Sequence, residues 1–298
     1  MLRLLLLLLL FSHTLPGQRQ PMKVLPLNDL SAFQPQAGNW SVAGQVHMHP
    51  FIDIHDDLER AVRVEPGTGI LINQNDDSLR DQLLTRLEHG DIILDLEVML
   101  PKGSNSGIYL QGRYEVQLLD SWGVQQPTYG DIGGIYRNWP NDVYPDYLGK
   151  APLTNAAKAP GLWQHMRIAF QAPRFDAGGR KVQNAKMVYV DLNGVRIHEN
   201  VEIPAPTGGP VELNEVPQGP LMIQGDHGPV AFRNIRYQLM EAQAVRFSNL
   251  SYEIYEGVFD EPSSVGGDSV SASGTLEQFT VAPAMAFSTF GMKIQGQL

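Results

Sequence analysis

From residue 25 onward the chain is a succession of short apolar runs, each closed within a few residues by Gly, Pro, Asn or Asp. Ile92–Leu100 is a strong strand stopped by Pro101-Lys102-Gly103. Gly107–Gln111 and Tyr114–Leu119 follow, and further candidates are His165–Gln171, Lys186–Leu192, Val195–His198, Leu221–Gln224 and Val230–Tyr237. Asn193-Gly194 sits between two of these runs, the pair that a two-residue hairpin turn favours because both positions need positive φ. Leucines at 79, 83, 84 and 87 share one helical face, so Ser78–Glu88 is the one helix the periodicity predicts. Many short strands with turns between them predict an all-β sandwich or barrel spanning residues 27–240.

The 298 residues suffice for one large domain or two modest ones, and a net charge of -10 argues against nucleic acid as a partner. With no cysteine, disulfides, thiolate metal sites and cysteine nucleophiles are excluded. Met1-Leu2-Arg3, the apolar run Leu4–Phe11 and Pro16-Gly17 have the form of a secretory signal peptide over residues 1–20, too short to span a membrane. The expectation is an exported protein, periplasmic or extracellular, with no membrane span. From Phe247 the composition shifts to Ser, Gly and Val, and residues 247–298 are expected to form an incomplete β module whose last segment, Gly291–Leu298, has lost its partners.

Candidate chemistry gathers around residues 105–120. Alternation carried through this stretch places Tyr109, Gln111, Arg113, Glu115 and Gln117 on one face, where Arg113 and Glu115 would orient each other. A solvated sheet face carrying an ion pair would show the same pattern. Glu115-x-Gln117-x-x-Asp120 is also reminiscent of sandwich glycanases, but these need two carboxylates set for retention or inversion, and Gln117 occupies the helper position. Next comes a loop rich in aromatics: Trp122, Tyr129, Tyr136, Trp139, Tyr144 and Tyr147. Flat aromatic faces stack on sugar C–H surfaces, although such a loop can also pack on itself. Gln224-Gly225-Asp226-His227-Gly228 sets a histidine between glycines beside an acid that can tune it. His47, His49 and His55 amid Asp53, Asp56 and Asp57 have the residue types of a zinc site, but a surface strand on an acidic protein carries them as readily, and no metal is assigned there.

Taken together, these segments resemble the bacterial 3-keto-disaccharide hydrolase family. The resemblance rests on Asn105-Ser106-Gly107-Ile108-Tyr109, Gly112–Ser121, Gly134-Ile135-Tyr136, Gly161-Leu162-Trp163, Ala172–Asp176, Asn193-Gly194, Pro206–Gly209, Gly219–Gln224, His227-Gly228 and Phe232–Ile235. It implies a concanavalin- or laminin-G-like jelly-roll sandwich and cleavage of glycosides already oxidised to a ketone at C3. It implies a glycoside or oligosaccharide substrate and no cofactor, and it leaves a structural calcium and the oligomeric state open. On this reading Glu115 is the base that removes the C2 proton, with Arg113 and His227 near the enolate oxygen. Asp120, Gln117 and Gln224 would hold hydroxyls, supported by Asp226 and Arg233, with Tyr109, Trp122, Tyr136 and Trp139 against the sugar. The tail, at Asn249–Phe259 and Phe290–Gly296, resembles the opening strands of a protective-antigen-type β-barrel module. A non-catalytic lectin-like module and an adhesion fragment are the competing functional classes; the first would need the aromatic loop but not Glu115.

Overall fold

The computed structural model describes residues 21–240, 248–256, 270–276 and 290–297. The expected signal peptide lies outside the described residues. The chain divides into two compact units, one of Arg19–Glu241 and another that includes Ala242–Leu298.

The first unit is a sandwich of antiparallel strands. One sheet carries β1 (Lys23–Val24), β2 (Trp40–Met48), β3 (Val62–Asn73), β5 (Asp91–Met99), β8 (Gln164–Gln171), β11 (Ala185–Leu192), β12 (Val195–Ile203) and β14 (Val230–Met240). Its strand order is β12-β11-β8-β5-β14-β3-β2, with β1 added on β14. The second sheet has β4 (Leu83–His89), β6 (Asn105–Leu110), β7 (Tyr114–Leu119) and β13 (Gly219–Ile223) in the order β4-β13-β6-β7. β9 (Arg174–Phe175) and β10 (Lys181–Gln183) form a separate small ribbon. This is the all-β jelly-roll sandwich expected.

Alternation decides which faces meet. Leu94, Leu96, Val98, Ile168, Phe170 and Phe232 from the large sheet share one core with Ile108, Leu110, Tyr114, Val116, Leu118, Leu221 and Ile223 from the small one. Tyr114 and Phe170 close the gap with ring centroids 5.3 Å apart. Because these core residues point inward, Tyr109, Glu115, Gln117, Met222 and Gln224 must point away from the core, onto the open face of the small sheet. The β11–β12 hairpin turns at Asn193 and Gly194, with φ of 52° and 83°, as their sequence requires.

Two expectations about elements are corrected. The helix predicted over Ser78–Glu88 is absent: Asp76 Oδ1 accepts from the Ser78 and Leu79 amides in a tight turn, and Leu83–His89 is strand β4, paired with β13. Leucines at 83 and 87 fit a period of two as well as 3.6, and the β13 edge supplies the ladder that decides between them. In the second unit, β15 (Ser248–Glu256) lies between β16 (Ala272–Leu276) and β17 (Phe290–Gln297). The C-terminal strand therefore has a partner, pairing antiparallel with β15 from Ser248↔Gln297 to Glu256↔Phe290.

Candidate active site

The open face of the small sheet forms a cleft of about 120 Å³, lined by Gln82, Asn105, Tyr109, Glu115, Gln117, Tyr136, Trp139, Gly208, Gly209, Met222, Gln224, Asp226 and His227. Its floor is the β6–β7 hairpin, in which Tyr109 stands directly across from Glu115 and Gly107 across from Gln117. Gly107 is required there: a Cβ on it would lie 2.2 Å from Glu115 Oε1, so the missing side chain is the space the carboxyl group occupies. The Tyr109 hydroxyl donates to Gly208 O at 3.0 Å, tying the floor to the Pro206–Gly209 wall. The Trp139 ring lies against that wall, where a Cβ on Gly208 would be 2.5 Å from its Nε1. At 56% exposed, Trp139 still offers most of its ring to solvent.

Electrostatics single out Glu115. It is 2% exposed, and no Lys or Arg is among the described residues lining the cleft. Burial pushes its carboxyl group up to about 8; Tyr109 hydrogen bonding opposes this, and the neighbouring Asp226 charge adds to it. The Tyr109 phenol is pushed far up, chiefly by burial and then by Glu115, so it is a hydrogen-bond donor at any ordinary pH.

Beside this group is an acid–imidazole pair. His227 Nδ1 lies 2.6 Å from Asp226 Oδ1 and 3.1 Å from Gln224 Nε2. A carboxylate only accepts, so the Nδ1 proton belongs to the Asp226 bond, Nε2 is left as the acceptor nitrogen, and the Gln224 amide beside Nδ1–H turns its oxygen toward it. The amides complete the lining. Gln117 Oε1 accepts from the Leu118 amide at 3.0 Å, leaving its NH₂ for a ligand. Asn105 Oδ1 is a buried acceptor without a hydrogen-bond partner.

Of the expected site residues, Glu115, Gln117, Tyr109, Tyr136, Trp139, Gln224, Asp226 and His227 are brought together here, and four are not. Gln111-Gly112-Arg113 is the turn of the β6–β7 hairpin rather than part of a continuous strand, so alternation does not carry through it. Arg113 bonds the carbonyls of Gln111 and Asn214 and holds the 214 loop instead of facing Glu115. Arg233 is on the large sheet, bonded to Glu97 at 2.9 Å and stacked 4.2 Å over Trp163. Asp120 accepts from the Gly103 amide, and Trp122 is 57% exposed; neither lines the cleft. Gln82, Asn105, Gly208, Gly209 and Met222 were not foreseen as lining. The doubled glycine at 208–209 was the available signal for a wall that an aromatic ring could approach.

The histidines at 47 and 49 have other partners, and at His55 it is the backbone amide that bonds Asp53. His47 Nε2 lies 3.7 Å from Glu65, and His49 Nδ1 accepts from the Phe51 and Ile52 amides in a turn. Asp57 caps the single turn α1 (Leu58–Ala61). Among the described residues, no three His, Asp or Glu side chains converge as metal ligands. Nor is any helix among them long and apolar enough to cross a membrane.

The sandwich and its amide-lined cleft define a class, the carbohydrate-active jelly rolls. More narrowly, residues 27–238 match the 3-keto-alpha-glucoside-1,2-lyase-like domain, and the chain belongs to that family. Solved structures align with part of this chain. Two proteins of Parabacteroides distasonis, each named provisionally as a glycosyl hydrolase, align over 74% of this chain. One is 23% identical, with 84% of its own length covered and a TM-score of 0.49. The other is 20% identical, with 100% covered and a TM-score of 0.47. The carbohydrate-binding module CBM66 of Bacillus subtilis aligns over 56% of this chain and 86% of its own at 7% identity, with a TM-score of 0.34. No curated protein matches the chain.

Proposed function

We propose that the chain is an exported enzyme that cleaves 3-keto-glycosides by elimination and hydration. The observation that carries this reading is Glu115: a buried carboxyl group pushed up to about 8 at the floor of a cleft with no Lys or Arg among its described lining residues. A carboxylate destabilised in this way is a stronger base than one in water, and a ketone at C3 makes the C2 proton acidic enough for it to remove. The C2–H electrons then form the C1=C2 bond as the C1–O bond breaks, and the leaving oxygen takes its electron pair with it. His227, whose Nδ1–H is held by Asp226, takes a proton from solvent on Nε2 and passes it to that oxygen. Its freed Nε2 then accepts a proton from the water whose oxygen adds to C1 and returns it to solvent, while Glu115 returns its proton to C2. The free NH₂ of Gln117 is the donor available to the enolate oxygen. Trp139 stacks on the sugar. Ordinary glycoside hydrolysis would need a second carboxyl group free to act across the bond. Asp120, the sequence candidate, lies outside the cleft, and Asp226, which lines it, is engaged by the His227 ring at 2.6 Å.

The test is product release from a panel of 3-keto-glucosides and their unoxidised parents. The protein should cleave only the keto sugars. Glu115→Gln should bind them and lose about 10²- to 10⁴-fold in turnover, the range for a positioned base. Turnover of the parents would replace this mechanism with conventional hydrolysis. Binding without turnover of either would make the chain a lectin-like module.

A further inference from the structure

The Asp226-His227 pair sits on a tight turn, and the groups that hold the turn come from distant parts of the chain. Asn73, at the end of β3 in the large sheet, is fully buried, with an exposure of 0%. Its Nδ2 donates to Gly225 O at 3.1 Å and to Gly228 O at 2.9 Å, the carbonyls on either side of Asp226-His227. Asn39, 2% exposed, donates from Nδ2 to Gly225 O at 3.3 Å, to Asp81 O at 3.0 Å and to Asn73 Oδ1 at 2.9 Å. All the Nδ2 contacts of both residues are acceptors, which fixes the orientation of the two amides.

A structural role alone accounts poorly for this pair. Asn39 Oδ1 is buried with no hydrogen-bond partner. A buried acceptor left unsatisfied costs stability, so the residue is kept for the donor it presents to Gly225 O, Asp81 O and Asn73 Oδ1. What the amides gain is two fixed carbonyls, one at each end of the four-residue segment that aims His227 into the cleft. Groups that must hold productive geometry depend on such buried bonds behind them.

We infer that Asn73 and Asn39 are a positioning pair that sets the orientation and tautomer of His227 by clamping the Gly225 and Gly228 carbonyls. The inference rests on the proposed role of His227 for its kinetic consequence, but its structural content stands independently of that role. Asn73→Asp keeps the shape and replaces the donor with an acceptor facing two carbonyls. It should lower kcat on the keto-glycoside about ten- to a hundredfold, the usual cost of losing the hydrogen bond behind a functional group, with KM little changed. In His227→Gln the same change should cost almost nothing further.

The deciding measurement is the ring ¹⁵N spectrum of His227 in the full-length protein, assigned by its disappearance in His227→Gln. The Nδ1–H form should dominate in the wild type and lose population in Asn73→Asp. If Asn73→Asp melts earlier yet keeps the wild-type tautomer, or if the losses multiply in the double variant, the pair is structural and the inference fails. Should the wild type turn over no keto-glycoside, the proposed activity falls while the ¹⁵N spectra still decide the positioning role. Should Asn73→Asp not fold, Asn39→Ser removes one of the clamps; an unchanged His227 tautomer in that folded variant would overturn the inference.

Discussion

The two outward faces of the sandwich use acidic side chains in opposite ways. On the large sheet every acid along the middle strands has a cation. Asp91 is bonded by Arg174, and Asp95 by Arg236 at 2.7 Å, with His165 3.3 Å away. Glu97 is bonded by Arg233, and Asp191 by Arg196. In register, Arg196, Asp191, Arg167, Asp95 and Arg236 run across five strands with alternating charge. Glu97 is accordingly held below the ordinary carboxylate range, first of all by its Arg233 hydrogen bond. On the small sheet, Glu115 has amides, a phenol and the Asp226 carboxyl group around it, and burial pushes it up to about 8. The same residue type is stabilised as an anion on one face and destabilised on the other; reactivity is expected where the counter-charge is missing.

The largest expected effect tests that contrast directly. Elimination needs the ionised base, so kcat/KM on a keto-glycoside should climb with pH and level off above about 8, where Glu115 is ionised. A pH–rate profile flat from pH 6 to 9 would remove Glu115 from the role of base.

Stability should run the other way. The folded pKa of Glu115 lies above its unfolded value of about 4.5, so the folded state holds more protons between these two values. The contribution is complete below pH 4.5 and is lost as pH rises through 8. Glu115→Gln should therefore gain on the wild type by a few kcal/mol at pH 9 and by little at pH 5, by the conversion of about 1.4 kcal/mol per unit. Denaturant melts at the two pH values would show this, and an equal difference at both would contradict the raised pKa.

Trp139→Ala should raise KM about fivefold with kcat nearly unchanged, since stacking on the sugar is worth roughly 1 kcal/mol. A fall in kcat alone would place the ring at the reacting bond instead. On the opposite face, Arg236→Met should cost about 1–2 kcal/mol in a urea melt because Asp95 loses a partner, and it should leave turnover intact. Arg233→Met, which was expected from sequence to matter at the site, should leave turnover intact as well. A large kinetic loss from either substitution would break the separation of the two faces.

The candidate site was legible where local chemistry dictates it. Glu115, Gln117 and Tyr109 stand out because alternation beside an apolar core sorts polar from buried side chains. Gln224, Asp226 and His227 stand out because a histidine between glycines has little packing to do. Arg113 misled because an Arg two residues before a Glu looks the same in a strand as in the turn of a hairpin. Only the Tyr109↔Glu115 pairing shows that the chain has reversed between them.

What the sequence determined by itself was the β class, the β11–β12 hairpin and most of the polar side chains of the cleft. These follow from periods and turn preferences that act over a few residues. Tertiary structure decided that Leu83–His89 is a strand and that Arg233 belongs to Glu97. It also decided that Asn73 reaches the turn bearing His227. Each of these depends on a partner more than 130 residues away, and a hydrogen bond or counter-charge supplied from such a distance leaves no mark in local pattern. The raised Glu115 has the same origin, because the burial that raises it is set by which segments the fold brings over the small sheet.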